Sequence, residues 1–112
     1  ASPESVVGLV ILLIAYTVVA PVGEELVFRG YLLRALADSR VGPVCAILVT
    51  ALVWASLHID KSWLGIADTF FAGLVWGWLR WRTESTLPTI AVHALTNLVA
   101  SSGVVALALG VS

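Results

Sequence analysis

Between Glu4 and Glu24 the chain carries no charge. Residues 6–22 read VVGLVILLIAYTVVAPV, an almost wholly apolar run. A helix that crosses a bilayer needs about 20 such residues. Three further apolar segments follow, at 41–59, 63–81 and 87–111. Short polar connections (ADSR, IDKS and WRTEST) separate them and suit helical hairpins. Over 112 residues the chain is 60% apolar, where a soluble domain is usually about 45–50%. Its mean hydropathy is +1.02. The expectation is an all-α, polytopic membrane helix bundle with about four transmembrane helices, forming one membrane-embedded unit over residues 1–112. Periodicity adds little, because helices surrounded by lipid are apolar on most faces.

The net charge of -1 argues against a nucleic-acid partner. A single cysteine, Cys45, excludes an internal disulfide and reads as a packed thiol. With no methionine at all, the sequence is expected to be an excerpt of a longer chain. The N-terminal run lacks the basic flank of a signal peptide.

Arg34 and Arg40 flank the first turn, and Arg80 and Arg82 the third. The positive-inside rule therefore predicts that the turns near Ser39 and Glu84 are cytoplasmic. Trp63, Trp78 and Trp81 stand at the ends of the third segment, as an interfacial belt requires. Gly73 and Gly77 make a GxxxG through which helices approach closely.

Against this background the polar residues stand out. Each charge at membrane depth costs about 2.5–3.5 kcal/mol on insertion scales, and it persists where it pairs, lines a cavity or does chemistry. Glu24, Glu25 and Arg29 lie in PVGEELVFRG. Glu25 and Arg29 are spaced i, i+4 with the acid first, the favourable order for an ion pair. Glu24 points about 100° away. One division makes Glu25–Arg29 structural and leaves Glu24 for proton transfer; the reverse is equally compatible with the spacing. Pro21 and Gly23 are expected to kink or break the helix here. His58 closes ALVWASLH, and His93 shares a helical face with Asn97 in IAVHALTN. At about 1.5 Å per residue from their turns, Glu24 and His58 fall at comparable depth. His93 and Asn97 reach it if the first hairpin projects about 10 Å further. A lone Asp68 reads as interfacial.

A carboxylate and an imidazole around one water make a general base. A second His with an Asn supplies donors to an oxyanion. Together they suit amide hydrolysis within the membrane. Two His and a Glu (His58, His93 and Glu24) could instead ligate zinc with an open position for water. There is no HExxH helix, no GxSG site and no pair of membrane aspartates.

These residues also form an ordered motif set. EELVFR (24–29) matches EExxxR, WASLH (54–58) matches F/WxxxH, and HALTN (93–97) matches HxxxN. The run FFAGLVWGWLRWRTESTLPTIAVH fits between the second and third. Over about residues 20–100 the sequence resembles the CPBP family: type II CaaX prenyl endopeptidases and bacteriocin-processing or self-immunity (Abi) proteins. The resemblance implies an intramembrane endopeptidase in a prokaryotic plasma membrane. Its substrate would be a membrane-associated peptide or protein, prenylated or otherwise lipidated. It implies that Glu24 with His58 activates water, that His93 and Asn97 hold the oxyanion, and that Glu25 and Arg29 support the site. Both metal-dependent and glutamate-dependent mechanisms are attached to the family, so zinc stays open. Trp54 replaces the commoner Phe, and members usually have more than four helices. The alternative is a catalytically silent scaffold or an immunity partner of the same fold. A proton-coupled carrier is disfavoured by the lack of an inverted repeat.

Overall fold

The computed structural model describes residues 2–111, and among them every regular element is helical. Helix α1 (Pro3–Ile14) starts at Ser2, whose side chain accepts from the Ser5 amide. A π-helical turn (Ala15–Val19) leads into α2 (Ala20–Glu25). A second π-helical stretch (Leu26–Leu32) leads into α3 (Leu33–Ala37). After a turn come α4 (Gly42–Ser56), α5 (Trp63–Thr83) and α6 (Leu87–Leu109).

The helical run Glu4–Ala37 continues through Pro21 and Gly23 without a break, with π-helical stretches on either side of them. The wide turn just before the proline explains why. Proline lacks an N–H, and its ring clashes with the carbonyl four residues back. In the π turn, Ala20 N–H bonds to Ala15 O, five residues back. That looser register opens the backbone ahead of Pro21 and absorbs the clash.

The remaining ends follow local chemistry. Gly42 opens α4 with φ +77, a left-handed conformation that side-chain-bearing residues rarely adopt. The Ser62 side chain caps α5 by accepting from Gly65 N–H. Two helical runs, Glu4–Ala37 and Leu87–Leu109, are long and apolar enough to cross a membrane by length and composition. Helix α4 has 15 residues and ends at Ser56, short of the expected 41–59. Helix α5 is long enough at 21 residues. Its Asp68, Arg80, Arg82, glycines and tryptophans keep its hydropathy low.

The chain divides into two compact units: one made of the chain before Glu24 and after Thr89, the other Glu24–Thr89. In the first, Leu9, Leu12, Leu13 and Tyr16 of the N-terminal run line one groove with Ala100, Ser101, Val104 and Val105 of α6. In the second, α4 packs on α5 and α3. Small residues permit this: Ala51 sits under Gly73, and Ile47 and Leu33 sit under Gly77.

Burial is inverted relative to a soluble protein. Arg29, Glu25, Thr50 and Thr89 are among the largest fully buried side chains, while Ile11, Leu12, Trp63 and Leu107 are exposed. Charged residues are almost never fully buried in water-soluble folds unless paired. An apolar exterior around a polar interior is what lipid as solvent selects.

Candidate active site

The site begins with an ion pair. Arg29 Nη1 donates to Glu25 Oε1 at 3.2 Å, and both side chains have 0% exposure. Glu25 ends α2 and Arg29 lies in the π-helical stretch that follows, so both point to the interior of the Glu24–Thr89 unit. Arg29 also meets two indoles. Its guanidinium carbon is 4.6 Å from the Trp54 ring centre and 5.6 Å from that of Trp76. The two indoles are 5.2 Å apart and tilted by 51°. Their negative faces replace part of the hydration that the buried cation has lost. Glu25 is thus the carboxylate in the 3.2 Å ion pair with the arginine. Glu24, one residue earlier, keeps partial exposure.

His58 lies in the turn beyond α4. Its Nδ1 is 2.8 Å from the carbonyl oxygen of Trp54. A carbonyl only accepts, so Nδ1 carries the proton and Nε2 is the basic nitrogen. The imidazole also stands edge-on to the Trp54 ring, with centres 5.0 Å apart at 70°. One tryptophan thus touches both the arginine of the first motif and the histidine of the second. In this unit Glu25, Arg29, Trp54 and His58 form one connected chain of contacts, with Glu24 next to its first member.

The third motif lies on α6, in the other unit. His93 is buried there. Asn97 Nδ2 donates to the backbone oxygen of Tyr16 at 2.9 Å. Tyr16 belongs to the first π turn, whose carbonyls are displaced from the regular i+4 ladder. Asn97 has a second N–H on the same nitrogen, so one donor serves the fold and one is left for other work.

Among the described residues, no three or more His, Cys, Asp or Glu side chains gather within either unit. Asp68 is exposed on α5.

Spacing identified the Glu25–Arg29 pair and the aromatic-xxx-His segment. It missed Trp54 as the link between them, and it missed Trp76 altogether. The i, i+4 relation of Trp54 and His58 was a usable signal. Nothing local marked Trp76, whose contact with Arg29 depends on how α5 is rotated.

Comparison with known proteins adds to this geometry. The family model described as type II CAAX prenyl endopeptidase Rce1-like matches residues 6–99. A relative from Lactococcus lactis subsp. lactis (strain IL1403), the UPF0177 protein YxdF, is 23% identical over 87 residues. That alignment covers 78% of this chain and 46% of the relative, so the chain spans about half the length of the curated protein it matches. No solved structure matches the chain.

Proposed function

This chain belongs to the Rce1-like family of type II CAAX prenyl endopeptidases, and we propose from that premise that it is the core of an intramembrane endopeptidase. It hydrolyses a peptide bond of a membrane-associated or lipidated peptide, with prenylated substrates the leading class. The observation that carries this reading is the continuous contact chain Glu25–Arg29–Trp54–His58 beside Glu24. Its buried ion pair and doubly held imidazole are costly to maintain for packing alone.

In the proposed reaction the Glu24 carboxylate takes a proton from a water molecule. His58 orients that water through Nε2, the nitrogen left basic by the Nδ1 bond to Trp54 O. The water oxygen bonds to the scissile carbonyl carbon, and the carbonyl oxygen becomes an oxyanion. The family motif assigns the holding of that oxyanion to His93 and Asn97. As the intermediate collapses, the C–N bond breaks and the proton held by Glu24 passes to the departing amine. Glu25 and Arg29 fix the backbone that carries Glu24. Were zinc bound, the motifs offer Glu24, His58 and His93 as its ligands, and it would supply a more acidic water. The substrate end of the site is reached from the bilayer, and the turns near Ser39 and Glu84 face the cytoplasm of a prokaryotic cell.

The test is product analysis in heavy-oxygen water. The full-length protein in detergent is incubated with a farnesylated peptide, and fragments are weighed. One labelled oxygen in the new carboxyl group supports hydrolysis by activated water. An intact peptide under conditions where other family members cut would favour the silent scaffold.

A further inference from the structure

The GxxxG of α5 has two glycines in different surroundings. The three atoms nearest a Cβ added at Gly77 are aliphatic: Ile47 Cγ2 at 3.0 Å, Ile47 Cγ1 at 3.4 Å and Leu33 Cδ1 at 3.4 Å. A Cβ built at Gly73 falls 2.9 Å from Arg29 Nη2, 3.0 Å from Ala51 Cβ and 3.1 Å from Ala51 Cα. The space over Gly73 is thus taken by the guanidinium and the backbone of α4. The guanidinium is hemmed in. It is fully buried, lies against Trp54 and Trp76, and is tied to Glu25 through Nη1. Its Nη2 and Nε make no hydrogen bond among the described residues.

We propose that Gly73 and Trp76 are positioning residues, which clamp Arg29 from the α5 side and through it set Glu25 and the neighbouring Glu24. This deepens the peptidase reading and rests on it. A methyl at Gly73 must move the guanidinium, α4, or both. Any movement of the guanidinium passes to Glu25 through the 3.2 Å bond. Gly77 serves close packing only, four residues along the same helix. The pair is therefore its own control: both additions crowd the helix contact, and only one touches the arginine.

The experiment compares Gly73→Ala with Gly77→Ala in the full-length protein in detergent, with two readouts. The first is steady-state cleavage of a farnesylated fluorogenic peptide. Gly73→Ala is expected to lower kcat by about 10- to 100-fold with KM little changed, the scale of a small misplacement of catalytic groups. Gly77→Ala is expected to lower the melting temperature and keep kcat. Trp76→Phe, which retains an aromatic face, is expected to recover most of the kcat lost in Trp76→Leu. The second readout needs no turnover. In protein labelled with nitrogen-15 arginine, the Arg29 Nε–H resonance is identified by its loss in Arg29→Lys. It is expected to shift or broaden in Gly73→Ala and to stay in place in Gly77→Ala. Equal responses of the two alanine variants in both readouts overturn the proposal. So does a kcat loss in Gly73→Ala with an unmoved Arg29 resonance. Failure of the wild type to cleave contradicts the peptidase reading instead, while the resonance comparison still decides the clamp.

Discussion

The Trp54 ring lies between the Arg29 guanidinium, 4.6 Å from its centre, and the His58 imidazole, 5.0 Å away. It touches the arginine of the first motif and the histidine of the second. Trp54→Phe keeps an aromatic face and should weaken the cation contact by about 0.5–1 kcal/mol. Trp54→Ala should cost about 3–5 kcal/mol of stability by leaving a cavity. Activity should stay well above the alanine variant in the phenylalanine one. Denaturation in micelles and peptide turnover check both statements.

The Glu25–Arg29 pair is fully buried, so removing one partner strands the other charge. Glu25→Ala and Arg29→Ala should each cost about 3–5 kcal/mol. The joint replacement Glu25→Leu with Arg29→Met should destabilise far less than the sum of the single changes, because no charge is left behind. It should still lose activity. Unfolding free energies of the two singles and the double close the cycle.

His58 separates fold from chemistry. Asn at position 58 can place its amide N–H near that of Nδ1 and keep the bond to Trp54 O. Gln reaches further and cannot. Stability should therefore be higher in His58→Asn than in His58→Gln by about 1 kcal/mol, the net worth of one hydrogen bond. Both should lose about 10²–10⁴-fold in kcat, because neither offers a basic Nε2.

Asn97 donates to Tyr16 O at 2.9 Å. Asn97→Asp puts an acceptor where a donor is needed and should cost about 1–3 kcal/mol, more than Asn97→Ala. Thermal unfolding of the two variants gives the order.

Much of this was legible in the residues, and the limits have physical causes. The helical class and the turns follow from apolar runs and polar breaks. Glu25–Arg29 follows from i, i+4 spacing, because both partners lie on one helical stretch. The continuity through Pro21 did not, since it depends on the looser hydrogen-bond register of Ala15–Val19. The Asn97–Tyr16 bond was hidden for the same reason: its acceptor is a backbone oxygen displaced by that turn. Trp76 and Gly73 were hidden because their partner, Arg29, lies on another helix, and helix rotation is not written in spacing. The GxxxG read as a packing motif describes Gly77 well and Gly73 only in part.

The most direct test of the central claim is hydrolysis of a farnesylated fluorogenic peptide by the full-length protein in detergent, for wild type and Glu24→Gln, with and without a chelator. Wild type should cleave, and Glu24→Gln should fall by at least about 100-fold with an unchanged melting temperature. Activity that survives the chelator assigns water activation to Glu24 and His58 alone; activity lost to it adds a metal to the same residues. Cleavage by Glu24→Gln at the wild-type rate would contradict the account.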